Sequence, residues 1–470
     1  MMAQAGDDIL LAAMQGVSLA TREGSTLFAS VLARAPSPHL SSASCARAQA
    51  LALAMAQHPR LGAESPAAKT SPDCMARIFE ELQQMRPIVL DAGSDTCRAG
   101  FAGDDVPSVC FPLVIGKSKI PHIMDLTTNA PHHYVGDAAL AKRQVLRLQW
   151  PVDHGIVASF EALEVAWRHT FLELCGGQSS GGQWNPVAAP LISRRAVLLT
   201  DAPLNHLPHR ERLMQLMFDC FDVPAVGMCN TAVLALYASG RTTGVVVDIG
   251  HTTTFVVPVY EGHVLTHAIR KHEVGGLDLT DYLQRLLNEN RGCNLVTSAD
   301  REKVRRCKEQ CAYVAMDMEE EMRHAEETFE QLFALSDEQM ITIGYERFRC
   351  AEVLLFPTIL GRERLSLHDQ VHNAIVKADA QIRPQLYGNV VLTGGSSVLP
   401  GLAERLTEEL ILLAPAHTTV HVEAPQTREH THAAWRGGSA LASLPAFQAL
   451  WITREEYEAH GPAVVHKKCS

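Results

Sequence analysis

The sequence predicts an α/β protein built from two duplicated halves around a cleft. From Pro87 onward, short apolar runs punctuated by glycine alternate with amphipathic helical patterns, which is the texture of mixed α/β chains. Two of those runs, PIVLDAGSDTCRAGF (87–101) and GVVVDIGHTTTFVVPV (244–259), share one plan. Each is an apolar strand, an Asp-x-Gly turn with small hydroxyl residues, and a returning strand. A third stretch, NVVLTGGSSVLPGLAERL (389–406), reads as a strand, a Gly-Gly turn and a helix start. Ser396 or Ser397 caps that helix in this reading, with Pro400 in its first turn. Backbone N–H groups at such turns suit an anion, so three glycine turns at strand ends, drawn from both halves, imply a nucleotide between them.

In chain order, residues 1–85 form an Ala- and Ser-rich N-terminal extension, read as flexible, in which ARAQALALAMAQ (46–57) could form one helix. Residues 86–238 make the first half, with an inserted subdomain at about 113–150 and a Gly- and Ser-rich loop insertion at 175–193 tipped by Trp184. An exposed tryptophan on such a loop is a candidate partner anchor. Residues 239–430 make the second half, with an inserted subdomain at about 275–362, and 431–470 return to the first half.

The composition limits the function classes. With 470 residues, 47% of them hydrophobic, the chain can bury a large core. A net charge of -11 argues against direct nucleic-acid binding, which needs Lys and Arg to neutralise phosphates. The twelve cysteines contain no CxxC pair and read as free thiols in a reducing compartment. No apolar run reaches the roughly 18 residues of a membrane span, so no membrane insertion is expected. His263 with His267, on a predicted strand pair, and His430 with His432, in a loop, lack a completing Cys or carboxylate, which weighs against a transition-metal site.

Nine segments occur in order along the chain: AGFAGDDVPSVCFP (99–112), YVGDAALAKR (134–143), PVDHGIV (151–157), TDAPLN (200–205), LYASGRTTGVVVD (236–248), DLTDYL (278–283), ITIGYERFRC (341–350), LTGGSSVLPGL (392–402) and WITREEYEAHGPAVVHKKC (451–469). Together they resemble the actin family. The resemblance implies the actin-like ATPase fold: two ribonuclease-H-like domains around a nucleotide cleft, each with an inserted subdomain, closing over Mg²⁺ and ATP or ADP. By that resemblance Asp91 and Asp248 face the Mg²⁺ through its water shell, as suits an ion that prefers oxygen ligands and keeps several waters. Gly93, Ser94 and the following amides, Asp95 included, hold the β- and γ-phosphates, with Gly250 and Thr252 facing them. Arg98 stands where the family has a lysine against the phosphates. Arg305, Lys308 and Glu309 match positions that grip base and ribose, and Gly276, Gly394, Gly395 and Ser396 line the same pocket.

Departures from the family pattern bear on the chemistry. Asp95 and Thr252 replace turn glycines, and His251 replaces an acid. A carboxylate about 4 Å from a phosphate charge costs roughly 1 kcal/mol in water-like surroundings and about 4 at an effective dielectric near 20. The family's water-positioning glutamine falls on Thr231, too short to replace it, so no catalytic residue is assigned and the chain is at most a weak ATPase. Leu399 takes the place of the aromatic residue over the adenine. Segments 117–133 and 361–364, which the family uses for assembly, share little with it, and Gly361-Arg362-Glu363-Arg364 puts charge where an apolar plug belongs.

The function expected is therefore a divergent actin-like cytoskeletal or complex-scaffolding protein that binds ATP or ADP with Mg²⁺, with hydrolysis slow or lost. Its expected location is the cytoplasm and cytoskeleton, with the nucleus open. Its expected partners are actin or actin-related subunits and actin-binding or complex-forming proteins, and self-polymerisation is doubtful. A filament-forming ATPase and a nuclear actin-related subunit of a chromatin complex remain the alternatives.

Overall fold

Strand Ile88–Ala92 (β1) returns as Thr96–Phe101 (β2), and Val109–Pro112 (β3) continues the meander. Val197–Asp201 (β4) lies parallel beside β1, and Ala225–Asn230 (β5) parallel beside β4. The second sheet repeats the plan. Gly244–Ile249 (β6) pairs antiparallel with Thr254–Tyr260 (β7), which also pairs with His263–Val264 (β8) and Arg270–His272 (β9). Val390–Thr393 (β10) runs parallel beside β6 and Val422–Glu423 (β11) parallel beside β10. The duplication read from two hairpins thus extends through both sheets. The central strands are almost wholly apolar and buried along their length, as strands covered on both faces must be.

This computed structural model describes residues 86–119, 133–174, 194–328, 330–336, 339–361, 365–425, 427 and 432–469. The 1–85 extension, most of segment 117–133, the 175–193 insertion with Trp184, Arg362 to Arg364 and His430 lie outside the described residues.

Six helices set the geometry: Phe160–Leu174 (α1), Thr231–Ala238 (α2), Gly276–Arg291 (α3), Ser298–Cys311 (α4), Leu402–Leu413 (α5) and Ala433–Ala442 (α6). The α2 helix joins the two sheets, following β5 directly and preceding β6. Asn230 starts it by accepting the Ala232 N–H. On α6, Gly437 lets the two helices touch, since a Cβ there would lie 1.8 Å from the Leu234 carbonyl oxygen. Fully buried Trp435 ties α6 to the first sheet by donating Nε1–H to Val89 O at 3.1 Å. Beyond α6, Ile452–Thr453 (β12) pairs with β5 at the edge of that sheet. His133–Val135, Ile115–Ser118 and Leu146–Gln149 form a separate three-stranded sheet. After α3 and α4 the strands Gln331–Ser336 and Gln339–Ile343 pair as a hairpin.

Two local expectations need correction. Neither Ser396 nor Ser397 caps α5, and Pro400 is not in it. The helix begins after Gly401, whose left-handed φ of 81° and approach to Val314 O exclude any side chain. His267 falls in a 3₁₀ turn, Thr266–Ala268, rather than on a strand, and its ring meets Lys377 O at 3.2 Å. No helix of the described residues is long and apolar enough to cross a membrane.

Candidate functional site

The two hairpins present the same device at the ends of β1 and β6. Asp91 and Asp248 are each the penultimate residue of their strand. The next glycine closes the turn identically in both: Gly93 N–H donates to Thr96 O and Gly250 N–H to Thr253 O, each at 3.0 Å. Asp91 accepts from Arg98 Nη1 at 3.0 Å and from the Thr200 hydroxyl at 2.8 Å. Burial, then the Asp91 charge, pushes the Asp248 carboxyl up to about 6, with Arg98 opposing. The Asp91 charge disfavours ionisation of Asp248, and a divalent cation beside the pair would relieve that. Among the described residues no group of three or more His, Cys, Asp or Glu could hold a metal ion. The donor set is thus two carboxylates, with other positions left to water and ligand oxygens, which fits Mg²⁺.

Glycines shape the cleft of about 400 Å³ around this pair. Gly394 has φ 88°, and a Cβ there would lie 2.4 Å from Ile249 O and 2.6 Å from Asp248 Oδ1. Gly395 opens onto free space, and a Cβ on Gly276 would collide with Ser396 Oγ at 2.7 Å. The third turn is tied to the second hairpin by Ser396 N–H, donated to Ile249 O at 3.3 Å, while Ser397 donates its hydroxyl to Gly394 O at 2.6 Å. Lys308 Nζ donates to Gly276 O at 2.6 Å, and burial pulls this ammonium down to about 8.

Gly93, Ser94, Asp95, Arg98, Gly250, Gly276, Arg305, Lys308, Glu309, Gly394, Gly395, Ser396, Asp91 and Asp248 all line the cleft, as do Thr231, His251 and Leu399. Thr252 does not: its hydroxyl accepts the His154 N–H at 3.1 Å. Several lining groups have protein partners that the family resemblance does not provide for. Arg98 pairs with Asp91, and Arg305 pairs with Asp95 and with Glu309. The Ser94 oxygen accepts the Gly155 N–H at 3.1 Å, which leaves its own proton available. Thr231 Oγ1 is buried with no hydrogen-bond partner among the described residues.

Three features escaped the sequence reading: Thr200 beneath Asp91, the His154–Gly155 link between the hairpins, and the Asp95–Arg305 pair. The first two lie within TDAPLN and PVDHGIV, segments that carried the resemblance without a stated role. Asp95 did stand out, but as a repulsive neighbour for phosphate rather than as half of an ion pair.

A doubled β-sheet plan with an acidic residue at each facing hairpin defines a two-domain cleft protein of the actin-like ATPase fold. A family model for actin matches residues 82–470. The chain belongs to the actin family.

Proposed function

We propose that the cleft binds ATP or ADP with Mg²⁺, that hydrolysis is slow or lost, and that the chain works as a divergent cytoskeletal or complex-scaffolding subunit. The supporting observation is the Asp91–Asp248 pair on matched hairpins, with the Asp248 carboxyl raised to about 6 by burial and by its neighbour. Both would hold Mg²⁺ through water. When bound, the ion neutralises these carboxylates and the polyphosphate together. Ser94 offers its hydroxyl proton, Lys308 its charge, and Gly394 and Gly395 a wall that lets a ligand approach the backbone.

Thr231 supports the slow-hydrolysis part. Hydrolysis in such a site depends on orienting a water, and a short hydroxyl on the first turn of α2 cannot reach as a glutamine amide would. The proposed setting is the cytoplasm and cytoskeleton, with actin-type subunits or complex-forming proteins as partners. Sedimentation of the purified chain with and without Mg-ATP, together with identification of any co-purified nucleotide, tests the reading. The expected result is bound ADP or ATP without pelleting. A nucleotide-free chain, or Mg-ATP-driven polymer with brisk turnover, would overturn it.

A further inference from the structure

Asp95 lies in the first hairpin turn and Arg305 on α4, in the second half, 210 residues away. Arg305 Nη1 donates to Asp95 Oδ1 at 2.9 Å and Nη2 to Oδ2 at 2.6 Å, a fork-to-fork pair. Its Nε donates to Glu309 at 2.9 Å, so each guanidinium nitrogen has a carboxylate partner. The Asp95 side chain is 19% exposed and that of Arg305 31%. Thr96 Oγ1 at 3.1 Å and His251 Nδ1 at 4.0 Å complete the surroundings of the carboxylate. Burial raises this carboxyl, but Arg305 and His251 outweigh it and hold the group below the usual carboxylate range. Nearby, His154 and Gly155, with φ of 50° and 76°, give their N–H groups to Thr252 in one half and Ser94 in the other.

We propose that Asp95 and Arg305 form a latch that holds the cleft closed without nucleotide, and that a nucleotide must compete with Asp95 for Arg305. The pair bridges the two halves directly: removing Arg305 leaves the Asp95 carboxylate half-buried without its ion-pair partner, while removing Asp95 leaves Arg305 only its contact with Glu309 on its own helix. Asp95 thereby supplies, from within the chain, the negative charge that a ligand would otherwise bring to this arginine. The closed latch stands whether or not nucleotide binds, while the competition for Arg305 rests on the proposed nucleotide site.

Hydrogen exchange of the full chain without nucleotide tests it, using Asp95→Asn, Arg305→Gln and the double variant. Each single variant should speed exchange in segments 93–98 and 301–309 roughly tenfold, the size expected for losing a charge-assisted pair. The double variant should add little to either, because both remove one interaction. Unchanged exchange in β1 and β6 serves as the folding control. In parallel, fluorescence titration with Mg-ADP should show roughly tenfold tighter binding to Asp95→Asn, which frees Arg305, and no gain for Arg305→Gln. Single variants with unaltered exchange, or effects that simply add, would overturn the latch. A chain that binds no nucleotide in any form would defeat the proposed function, while the exchange data would still decide the latch.

Discussion

Lys308 is an ammonium buried inside the second half, held by the Gly276 carbonyl and pulled down to about 8 by burial. Because its folded pKa lies below its unfolded value, the unfolded chain binds more protons between about pH 8 and 10.5, and stability rises across that window. Below pH 8 the ammonium is charged in both states and the full penalty, roughly 3 kcal/mol, is present. Denaturant titrations from pH 7 to 10.5 should show this rise in wild type and its loss in Lys308→Met, which should also weaken Mg-ADP binding. A flat wild-type profile would contradict the assignment. Thr231 lines the cleft from the first turn of α2, and its hydroxyl has no hydrogen-bond partner among the described residues. Thr231→Gln should raise phosphate release from ATP at least tenfold with little change in Kd. No increase would mean that the missing amide is not what limits hydrolysis.

At the scale of elements, the contact between α2 and α6 carries the sharpest steric demand. A methyl group at Gly437 would lie 1.8 Å from a backbone oxygen that cannot retreat without parting the helices. Gly437→Ala should therefore cost roughly 3 kcal/mol, at the upper end of overpacking penalties, read as a lower denaturation midpoint. Unchanged stability would show that the helices can separate freely. The two hairpins were legible in the sequence because an Asp-x-Gly turn between apolar runs has a local signature, and their similarity implied the duplicated sheets. The start of α5 was not legible: the turn from Gly394 to Gly401 is shaped by contacts with Ile249 and Val314, residues remote in sequence. The Asp95–Arg305 pair was hidden for the same reason, since no one-dimensional spacing records which charge meets which across a cleft.

For the molecule as a whole, two sheets of one plan meet at a pair of carboxylates, while Asp95, Arg305 and the His154–Gly155 link join the halves from within. Ligand binding should then act as added stability on an already closed frame. Nucleotide at a hundredfold its Kd adds about 2.7 kcal/mol, a Tm rise of a few degrees. That rise should require Mg²⁺ and should vanish in Asp248→Asn. Filter binding of γ-labelled ATP to excess protein, followed over time with and without Mg²⁺, tests the central claim most directly. The account predicts label retained only with Mg²⁺ and persisting as intact ATP over many minutes. Failure to retain label, or its prompt release as inorganic phosphate, would contradict it.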